Sequence, residues 1–336
     1  MRQTLEPLKV ALVDLDGQTV PPWVGATLER EGVELIVQQC YTCNDLAEYA
    51  KDAEVVWLFG GSRILMGGNL AVLSRCWAIV RTGSGTDNVP VEEATRRGIV
   101  VANTPAAVSD GVSDHVIALL MSLVRRICKL DWAVRSGIQD QTLGHPLNSI
   151  QGRTLGLVGF GYVARDVARK LSGFEMNRLG YDPFVKADLM TVHGVQSVDL
   201  KTLLSQSDFV SLHCPLTHAT KHLLGEPELR LMKPTAILIN TSRGAVVDES
   251  ALVQALTKGW IAAAGLDVFE EEPPALQNPL LKLDNVVLTP HVAGLSADGM
   301  EPRWRSSLDT ILALARRRWP PSWVNHDVNP AQTLSA

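Results

Sequence analysis

Several features that mark other classes of protein are missing from this chain of 336 residues. The segment MRQTLEPLKVALVDLDG has no apolar core of the kind found in signal peptides. The longest apolar run, residues 116–124, contains a serine and is too short to cross a bilayer. A formal net charge of −5 gives no support for binding to nucleic acid or to an anionic membrane. We therefore expect a cytoplasmic protein with neither partner.

Cysteine is scarce, with five residues in the chain. Cys40 and Cys43 form a C-x-x-C pair, but no second pair or histidine cluster accompanies them, so the sequence predicts no metal site. A redox role for this pair is one interpretation. Two ordinary thiols in a reducing cytosol are the simpler one.

What the chain does have is a repeated alternation of strand-like and helix-like segments. The strand-like segments of a first series are 10–13, 34–37, 55–58, 79–81 and 99–101, and those of a second are 154–158, 178–181, 209–213, 236–240, 261–267 and 286–289. Such alternation predicts parallel sheets with right-handed crossovers. The sequence therefore predicts an α/β fold with two doubly wound parallel-sheet domains.

The domain boundaries follow from a break in the pattern at Asn103-Thr104-Pro105, a candidate interdomain crossing, and from the final helical pattern. A chain of 336 residues favours two domains over a single core. The amphipathic pattern near the end is too short to form a domain, so we expect it to return to the first one. The predicted domains are residues 1–103 with 294–336, and residues 104–293.

The segment 154–182 has the pattern typical of a dinucleotide site: a strand, a G-x-G-x-x-A turn, a helix and a second strand. Gly159 permits the tight turn, and Gly161 lets the backbone approach a pyrophosphate. The small Ala164 allows the helix to pack closely on the strand. A Gly-rich turn alone often only reverses the chain, but the complete unit favours an NAD site.

Two further features of this segment suit NAD. The free N–H groups of the helix that begins near Tyr162 and Val163 attract a phosphate. Asp182, at the end of the second strand, would accept hydrogen bonds from the adenine ribose hydroxyls. Its negative charge would repel a 2′-phosphate, so we expect NADH to be preferred to NADPH.

Two other stretches stand out. The loop RTGSGTDN follows a strand end, and the backbone N–H groups at Ser84 and Gly85 could hold a carboxylate, although such a loop is more often only a turn. Residues 112–130 form one long helical pattern with a continuous apolar stripe. That stripe must be buried, either inside a domain or against a partner subunit.

Three kinds of chemistry-bearing residue follow strand ends of the second series. Arg243 would bind a carboxylate or carbonyl through the paired hydrogen-bond donors of its guanidinium. His291 would exchange a hydroxyl proton while a carboxylate of the run 270–272 orients it. Taken singly, a strand-end arginine, an acidic loop and a histidine after proline are usually structural or solvated. Their convergence on one sheet edge favours alcohol/carbonyl redox chemistry on an acid substrate.

Together these motifs resemble those of the D-isomer-specific 2-hydroxyacid dehydrogenases over essentially the whole chain. The resemblance implies a Rossmann-type NAD domain, a flavodoxin-like substrate domain and a cleft between them. It also implies dimerisation through the NAD domain, which would give the stripe at 112–130 a role. The matching motifs are GFGYVA with Asp182, LHCPLT at 212–217, NTSRGAVVDE at 240–249, GLDVFEEEP at 265–273 and TPH at 289–291.

The resemblance also implies roles for single residues. Arg243, Glu272 and His291 correspond to the catalytic set, with Glu272 paired to His291. Ser84 and Gly85 correspond to the loop whose backbone holds the substrate carboxylate. The remaining implied cofactor contacts are Cys214, Pro215, Thr241 and Asp267, the last of them to the nicotinamide carboxamide.

Departures from the family pattern limit the analogy. Ala164 replaces the commonest third glycine, which the fold tolerates. Val108 and Asp114 stand where the family often has Asn and Glu. Val108 removes a polar side chain near the cleft, so substrate preference does not carry over. Glu272 argues against the formate dehydrogenase branch, and Ser84 argues against the phosphite dehydrogenase branch.

The sequence thus predicts an NAD-dependent D-2-hydroxyacid dehydrogenase that reduces a small 2-oxoacid, with His291 as acid/base, and that forms a homodimer. The alternative is an NAD-sensing binding protein on the same fold, as the C-terminal binding proteins are. Turnover of a 2-oxoacid distinguishes the two.

Overall fold

The computed structural model describes residues 7–335 and divides into two compact units. The first unit comprises the described residues up to Val108 and those from Ser296 onward, and the second is Ser109–Leu295. The sequence placed these divisions after residues 103 and 293. Residues 1–6 and 336, which that prediction includes in the first domain, lie outside the described residues.

Strands and helices alternate along the described chain. The strands are β1 (Leu8–Leu12), β2 (Val33–Val37), β3 (Val55–Leu58), β4 (Ala78–Arg81), β5 (Val100–Asn103), β6 (Thr154–Val158), β7 (Asn177–Tyr181), β8 (Gln196–Ser197), β9 (Phe209–Leu212), β10 (Ile237–Asn240), β11 (Ala263–Leu266) and β12 (Val286–Leu288). The α-helices are α1 (Pro22–Arg30), α2 (Cys43–Tyr49), α3 (Val91–Arg96), α4 (Ala106–Val124), α5 (Ile127–Arg135), α6 (Tyr162–Lys170), α7 (Ala187–Val192), α8 (Leu200–Gln206), α9 (Glu226–Leu231), α10 (Glu249–Thr257) and α11 (Met300–Ala315).

The sheet of the first unit has five parallel strands in the order β2-β1-β3-β4-β5. This is the flavodoxin-like order. Its central strands are buried on both faces, as β3 shows with four fully buried residues. Helices on both sides of a parallel sheet require such continuous apolar strands. The predicted flavodoxin-like fold is confirmed.

The sheet of the second unit has seven parallel strands in the order β12-β11-β10-β9-β6-β7-β8. The strand order reverses between β6 and β9, which is the switch point where doubly wound sheets bind their ligands. The predicted Rossmann-type fold is confirmed. The sequence missed the two-residue strand β8, whose side chains are both exposed and therefore carry no apolar pattern.

The prediction of one helix through residues 112–130 is wrong. α4 ends at Val124, and α5 begins only after Arg126, whose φ of 52° lies in the left-handed region. On α4, Val116 and Leu119 are no more than 3% exposed and pack in the core of the second unit. By length and composition α4 would pass for a membrane span. The buried side chains of α4, which make up 39% of its apolar window of 18 residues, account for part of its composition.

The last segment of the chain completes the first unit. Leu308 and Ile311 of α11 lie in the same apolar core as Trp57. Further on, the side chain of Asn325 accepts a hydrogen bond from the amide of Val101 and donates one to the carbonyl of Ile99, both at 2.9 Å. These bonds satisfy backbone groups at β5 and just before it, on the outer side of the sheet.

Candidate active site

The carboxyl ends of the strands in the second unit gather most of the predicted site residues. The Gly-rich turn follows β6, the loop with Arg243 follows β10, the acidic loop follows β11 and His291 follows β12. Because all of these strands are parallel, the four segments leave the sheet at the same edge. This is the edge at which open α/β sheets bind ligands.

The Gly-rich turn has the geometry that a pyrophosphate needs. Gly159 has a φ of 87°, and a Cβ there would lie 2.7 Å from the backbone nitrogen of Cys214, so no larger residue fits. Gly161 has no atom within 4 Å of its Cβ position, which leaves room for a ligand to approach. α6 begins directly after it without a side-chain cap. The first amides of the helix, at Tyr162 and Val163, are therefore available to an anion.

Asp182 directly follows β7 and fastens the turn. Its Oδ2 accepts a hydrogen bond from the amide of Phe160 at 2.8 Å, and its Oδ1 accepts one from the amide of Phe184 at 2.9 Å. Each carboxylate oxygen can accept more than one hydrogen bond, so acceptors remain for ribose hydroxyls. The ribose contact stays a prediction. The anchoring of the turn is a second role that the sequence did not reveal.

His213 and Cys214, which directly follow β9, lie beside Gly159 and are uncharged. Burial raises the pKa of the Cys214 thiol to about 11. Burial also lowers the pKa of His213 to about 3, and its Nε2 is buried with no hydrogen-bond partner among residues 7–335. Pro215 follows and is exposed. Both side chains at 213 and 214 are thus neutral near pH 7.

Asn240 shapes the loop that carries Arg243. Its Oδ1 accepts hydrogen bonds from the amide of Ser242 at 3.0 Å and from its hydroxyl at 2.8 Å, and its Nδ2 donates to the carbonyl of Arg243 at 2.9 Å. A Cβ on Gly244 would overlap the carbonyl of Phe269. The arginine loop is therefore packed directly on the acidic loop, with the partly exposed Thr241 at its start.

Asp267 is a buried carboxylate that holds the loop after β12. Its Oδ1 accepts hydrogen bonds from the Thr289 hydroxyl at 2.5 Å and from the amide of Val292 at 2.9 Å, and its Oδ2 accepts one from the amide of Ala293 at 2.8 Å. His115 Nε2 lies 2.9 Å from the Thr289 hydroxyl and 3.5 Å from Asp267 Oδ1. The Asp267 side chain has no exposed surface. Its predicted nicotinamide contact stays a prediction, whereas its role in fixing this loop is visible in the structure.

His291 sits on that loop in a left-handed conformation, with a φ of 53°. Its amide donates to the carbonyl of Asp267 at 2.8 Å, and its Nδ1 lies 2.7 Å from Glu272 Oε2. The other oxygen of Glu272 accepts a hydrogen bond from the amide of Phe269 at 3.1 Å. The contact between Glu272 and His291 that the resemblance implied is present.

The two groups of this pair shift each other's protonation. The hydrogen bond and charge of Glu272 raise the pKa of His291, although burial and the positive charge of Arg243 oppose that rise. Burial raises the pKa of Glu272, but the hydrogen bonds from His291 and from the Phe269 amide outweigh it and leave this pKa below its ordinary value. The pair therefore favours imidazolium beside carboxylate.

A second histidine–glutamate pair, which no pattern in the sequence predicted, lies next to the first. His222 Nε2 is 2.6 Å from Glu270 Oε1, and the amide of His222 donates to the carbonyl of Ala245 at 2.8 Å. The amide of Glu270 donates to a carboxylate oxygen of Glu249 at 3.0 Å. These bonds join the acidic loop to the segment after the arginine loop. No local motif signals the pair, because its members are 48 residues apart.

In the first unit, the loop with Ser84 and Gly85 is held from one side. The amide of Gly83 donates to the Thr104 hydroxyl at 2.7 Å, and Asn103 Nδ2 donates to the carbonyl of Ser84 at 2.9 Å. Within residues 7–335, the amides of Ser84 and Gly85 have no hydrogen-bond acceptor. This geometry is compatible with the predicted carboxylate contact. These two residues belong to the first unit, whereas the other predicted site residues belong to the second.

Two departures from the family pattern have structural places of their own. Asp114 accepts a hydrogen bond from Lys170 Nζ at 2.6 Å, which ties α4 to the end of α6. Val108 is buried, with its Cγ1 4.0 Å from the Cβ position of Gly83. Val108 therefore places an apolar side chain against the start of the Ser84 loop.

The structure bears on one member of the C-x-x-C pair. All five cysteines are free. Burial raises the pKa of Cys40 to about 11, which disfavours the thiolate that redox exchange requires. Among residues 7–335, no group of three or more His, Cys, Asp and Glu side chains is arranged to hold a metal ion.

Comparison with known proteins identifies similar chains. The model of the D-isomer specific 2-hydroxyacid dehydrogenase NAD-binding domain matches residues 117–293. A glyoxylate reductase of Thermococcus litoralis is 46% identical over 256 residues, which cover 74% of this chain and 77% of that protein. The segment from Gly159 to His291 thus lies entirely within the match to the NAD-binding domain.

Solved structures extend the similarity to both units. The structure of D-lactate dehydrogenase from Aquifex aeolicus, complexed with NAD and lactic acid, has a TM-score of 0.79 at 28% identity and covers 91% of this chain and 95% of that one. An acyclic imino acid reductase in complex with NADPH and D-Arg has a TM-score of 0.83 at 27% identity and covers 94% of this chain and 99% of that one. One of these two chains was solved with NAD and the other with NADPH, so the choice of cofactor depends on local residues.

The Glu272–His291 contact generates a prediction about protonation. Replacing Glu272 with Gln keeps a hydrogen-bonding group but removes the charge that stabilises imidazolium, so the pKa of His291 should fall. The measurement is an NMR titration of the histidine ring protons, with the His291 signal assigned from its absence in His291→Gln. Glu270→Gln is the matched control, because Glu270 contacts His222 instead. A His291 pKa that moves equally in both variants would contradict the pairing.

Proposed function

This chain belongs to the D-isomer specific 2-hydroxyacid dehydrogenase family, and we propose that it works as a 2-oxoacid reductase in which His291 supplies the proton. It is an NAD-dependent oxidoreductase that acts on the CH–OH group. The observation that carries the proposal is the Glu272–His291 pair, fixed at the same sheet edge as Arg243 and the Gly-rich turn.

The residues of the Gly-rich turn fit the cofactor. The amides at the start of α6, the open side of Gly161 and the carboxylate of Asp182 match a pyrophosphate followed by a ribose. Cys214, Pro215 and Thr241 are proposed to line the remainder of this site, and Asp267 to contact the carboxamide. The nicotinamide, when bound, supplies the hydride that is added to C2 of the 2-oxoacid.

The proton and the charge are handled by three side chains. Glu272 occupies Nδ1 of His291, so Nε2 is the nitrogen left to give a proton to the substrate oxygen as it becomes a hydroxyl. Because Glu272 raises the pKa of His291, the protonated acid persists at higher pH than in a free imidazole. Arg243 is proposed to bind the substrate carboxylate or carbonyl, and Ser84 and Gly85 remain proposed carboxylate contacts.

The alternative is an NAD-sensing binding protein with the same side chains. Turnover separates the two, and glyoxylate is the first substrate to test because of the similar glyoxylate reductase. We also propose a cytoplasmic location, which the five free cysteines fit.

The surface of α5 supports the predicted homodimer better than the stripe of α4 does. Trp132 and Val134 are 63% and 69% exposed, and Ile127, Ile138 and Leu147 are exposed as well. Apolar side chains clustered on one helix and on the segment after it are typical of a protein interface. We propose that a second copy of the chain covers them.

The test of the reductase is turnover of NADH with glyoxylate and with larger 2-oxoacids, compared between the wild type and Arg243→Lys. Lysine keeps the charge but loses the two-pronged donor, so kcat/KM for the 2-oxoacid should fall by roughly 100-fold, about 3 kcal/mol. NADH affinity, measured by fluorescence titration, should stay within about threefold of the wild-type value. Arg230→Lys, on the exposed face of α9, is the control. An NADH-binding wild type that reduces no 2-oxoacid would favour the sensing protein.

Asp182 predicts a preference for NADH. A repulsion of about 1–4 kcal/mol between the carboxylate and a 2′-phosphate corresponds to a ratio of kcat/KM for NADH to kcat/KM for NADPH of roughly fivefold or more. Asp182→Asn should lower that ratio, mainly by raising kcat/KM for NADPH. Asp188→Asn, at an exposed position of the same βα unit, should leave it unchanged. Equal kcat/KM for the two cofactors in the wild type would show that Asp182 does not select between them.

The dimer is tested by sedimentation equilibrium at micromolar concentration. The wild type should show twice the mass of one chain, and Trp132→Glu should shift the population towards monomer because it places a charge in the apolar interface. Leu276→Glu, at a residue that is 90% exposed, should remain dimeric. A monomeric wild type rejects the dimer, and a dimeric Trp132→Glu rejects α5 as its surface.

A further inference from the structure

The helix α11 runs antiparallel to the central strands of the first unit. At its end, Arg317 contacts Glu54 and the ring of Trp77, which lie at the amino ends of β3 and β4. Near its start, the Ser307 hydroxyl lies 2.7 Å from the Thr82 hydroxyl, directly after β4. The beginning of α11 therefore lies at the carboxyl edge of this sheet.

Arg303 is placed at that edge by its neighbours. The ring of Trp304 stacks on Phe59 with 3.8 Å between centroids, and Phe59 directly follows β3. Arg303 is one helical turn before Ser307 and on the same face, so it lies farther in the direction in which β4 continues into the Ser84 loop. Its guanidinium carbon is 5.3 Å from the centroid of the Phe59 ring.

Arg303 has no carboxylate partner among the described residues, unlike Arg305, Arg316 and Arg317. Arg305 pairs with Glu301 and Arg316 with Glu31, both at 2.6 Å, and Arg317 lies 3.8 Å from Glu54. Within residues 7–335, the guanidinium of Arg303 has neither an ion pair nor a hydrogen bond, and its Nε is buried without a partner. Phe59 covers one face of the group, but the N–H donors of a guanidinium point outward in its plane.

An unpaired and partly buried cation is costly unless something else pairs with it. Burial lowers the pKa of Arg303, yet a guanidinium remains protonated in proteins. Burying a charge without a partner costs free energy, and such unsatisfied groups concentrate at binding sites. An anion from outside the chain would supply the partner that the described residues do not.

We propose that Arg303 binds a second anionic group of the substrate, so that the chain favours 2-oxoacids with a carboxylate or phosphate at the end remote from the reacting carbonyl. This rests on the proposed function, in which the Ser84 loop of the same unit holds the first carboxylate. Arg303 then contacts the substituent on C2. Its planar guanidinium can donate two parallel hydrogen bonds to either a carboxylate or a phosphate.

Matched substrate pairs test this with NADH as cofactor. 2-Oxovalerate and 2-oxoglutarate share a five-carbon chain and differ at the distal end, and hydroxypyruvate and 3-phosphohydroxypyruvate form the phosphate pair. The wild type should favour the anionic member of at least one pair by roughly tenfold or more in kcat/KM. The pair that shows the preference identifies the anion.

Variants assign the preference to Arg303. Arg303→Gln should lower kcat/KM for the anionic member by roughly tenfold or more, and for the neutral member by no more than about threefold. Arg303→Lys, which keeps the charge, should lie between wild type and Arg303→Gln. Arg305→Gln is the control, since Arg305 is on the same helix and pairs with Glu301. Equal kcat/KM for both members of both pairs in the wild type overturns the proposal, as does a preference that survives in Arg303→Gln.

A binding measurement separates this proposal from the reductase itself. Calorimetric titration of the NADH-saturated chain with D-2-hydroxyglutarate and D-2-hydroxyvalerate reports binding without turnover, because cofactor and acid are then both in the reduced form. Tighter binding of the dicarboxylate that is lost in Arg303→Gln supports the subsite even if no 2-oxoacid is reduced. Equal binding of the two acids, together with equal binding of phosphorylated and unphosphorylated D-glycerate, rejects the anion subsite at Arg303. If the wild type reduces glyoxylate in that case, the proposed function remains intact.

Discussion

The site depends on a carboxylate that has been removed from water. Asp267 carries no exposed surface, so its charge must be met by donors from the protein. Three groups donate hydrogen bonds to this carboxylate: the amides of Val292 and Ala293 and the hydroxyl of Thr289. All three belong to the segment around His291. The cost of leaving any of them unpaired fixes the loop. The left-handed conformation of His291 is maintained within this fixed loop.

Carboxylates near strand ends accept hydrogen bonds from loop amides in both units. Asp14, which lies two residues after β1, is buried and accepts hydrogen bonds from the amides of Phe59 and Gly60 at 2.8 and 2.7 Å. Burial raises the pKa of Asp14, and those amides oppose the rise. Asp182 holds two amides in the same way. A carboxylate at a strand end thus positions a neighbouring loop, so these loops are held by hydrogen bonds to carboxylates and not by apolar packing alone.

The sequence predicted the parts of the fold that follow from local rules. Strand ends of a parallel sheet share one edge, so a strand pattern and the residues after it were sufficient to bring Arg243 and His291 to that edge. The break before α5 was missed because Arg126 takes a left-handed conformation that usually signals itself through glycine. The contacts of His115 and His222 were missed because they depend on tertiary packing between distant segments. The unpaired state of Arg303 became visible only when its neighbours were placed.

The interrupted first unit has a consequence for the order of folding. The segment Ser109–Leu295 is contiguous, so its sheet can form while later residues are still being synthesised. The other sheet must wait for Leu308 and Ile311 to cover Trp57, and for Asn325 to bond to the backbone of β5. Since each doubling of a loop costs about 0.6 kcal/mol, closing the connection through Ser109–Leu295 costs roughly 3 kcal/mol more entropy than closing a loop of about six residues. The delay during synthesis is the greater burden, because the apolar strands that emerge first remain uncovered longest and are the part of the nascent chain most exposed to aggregation.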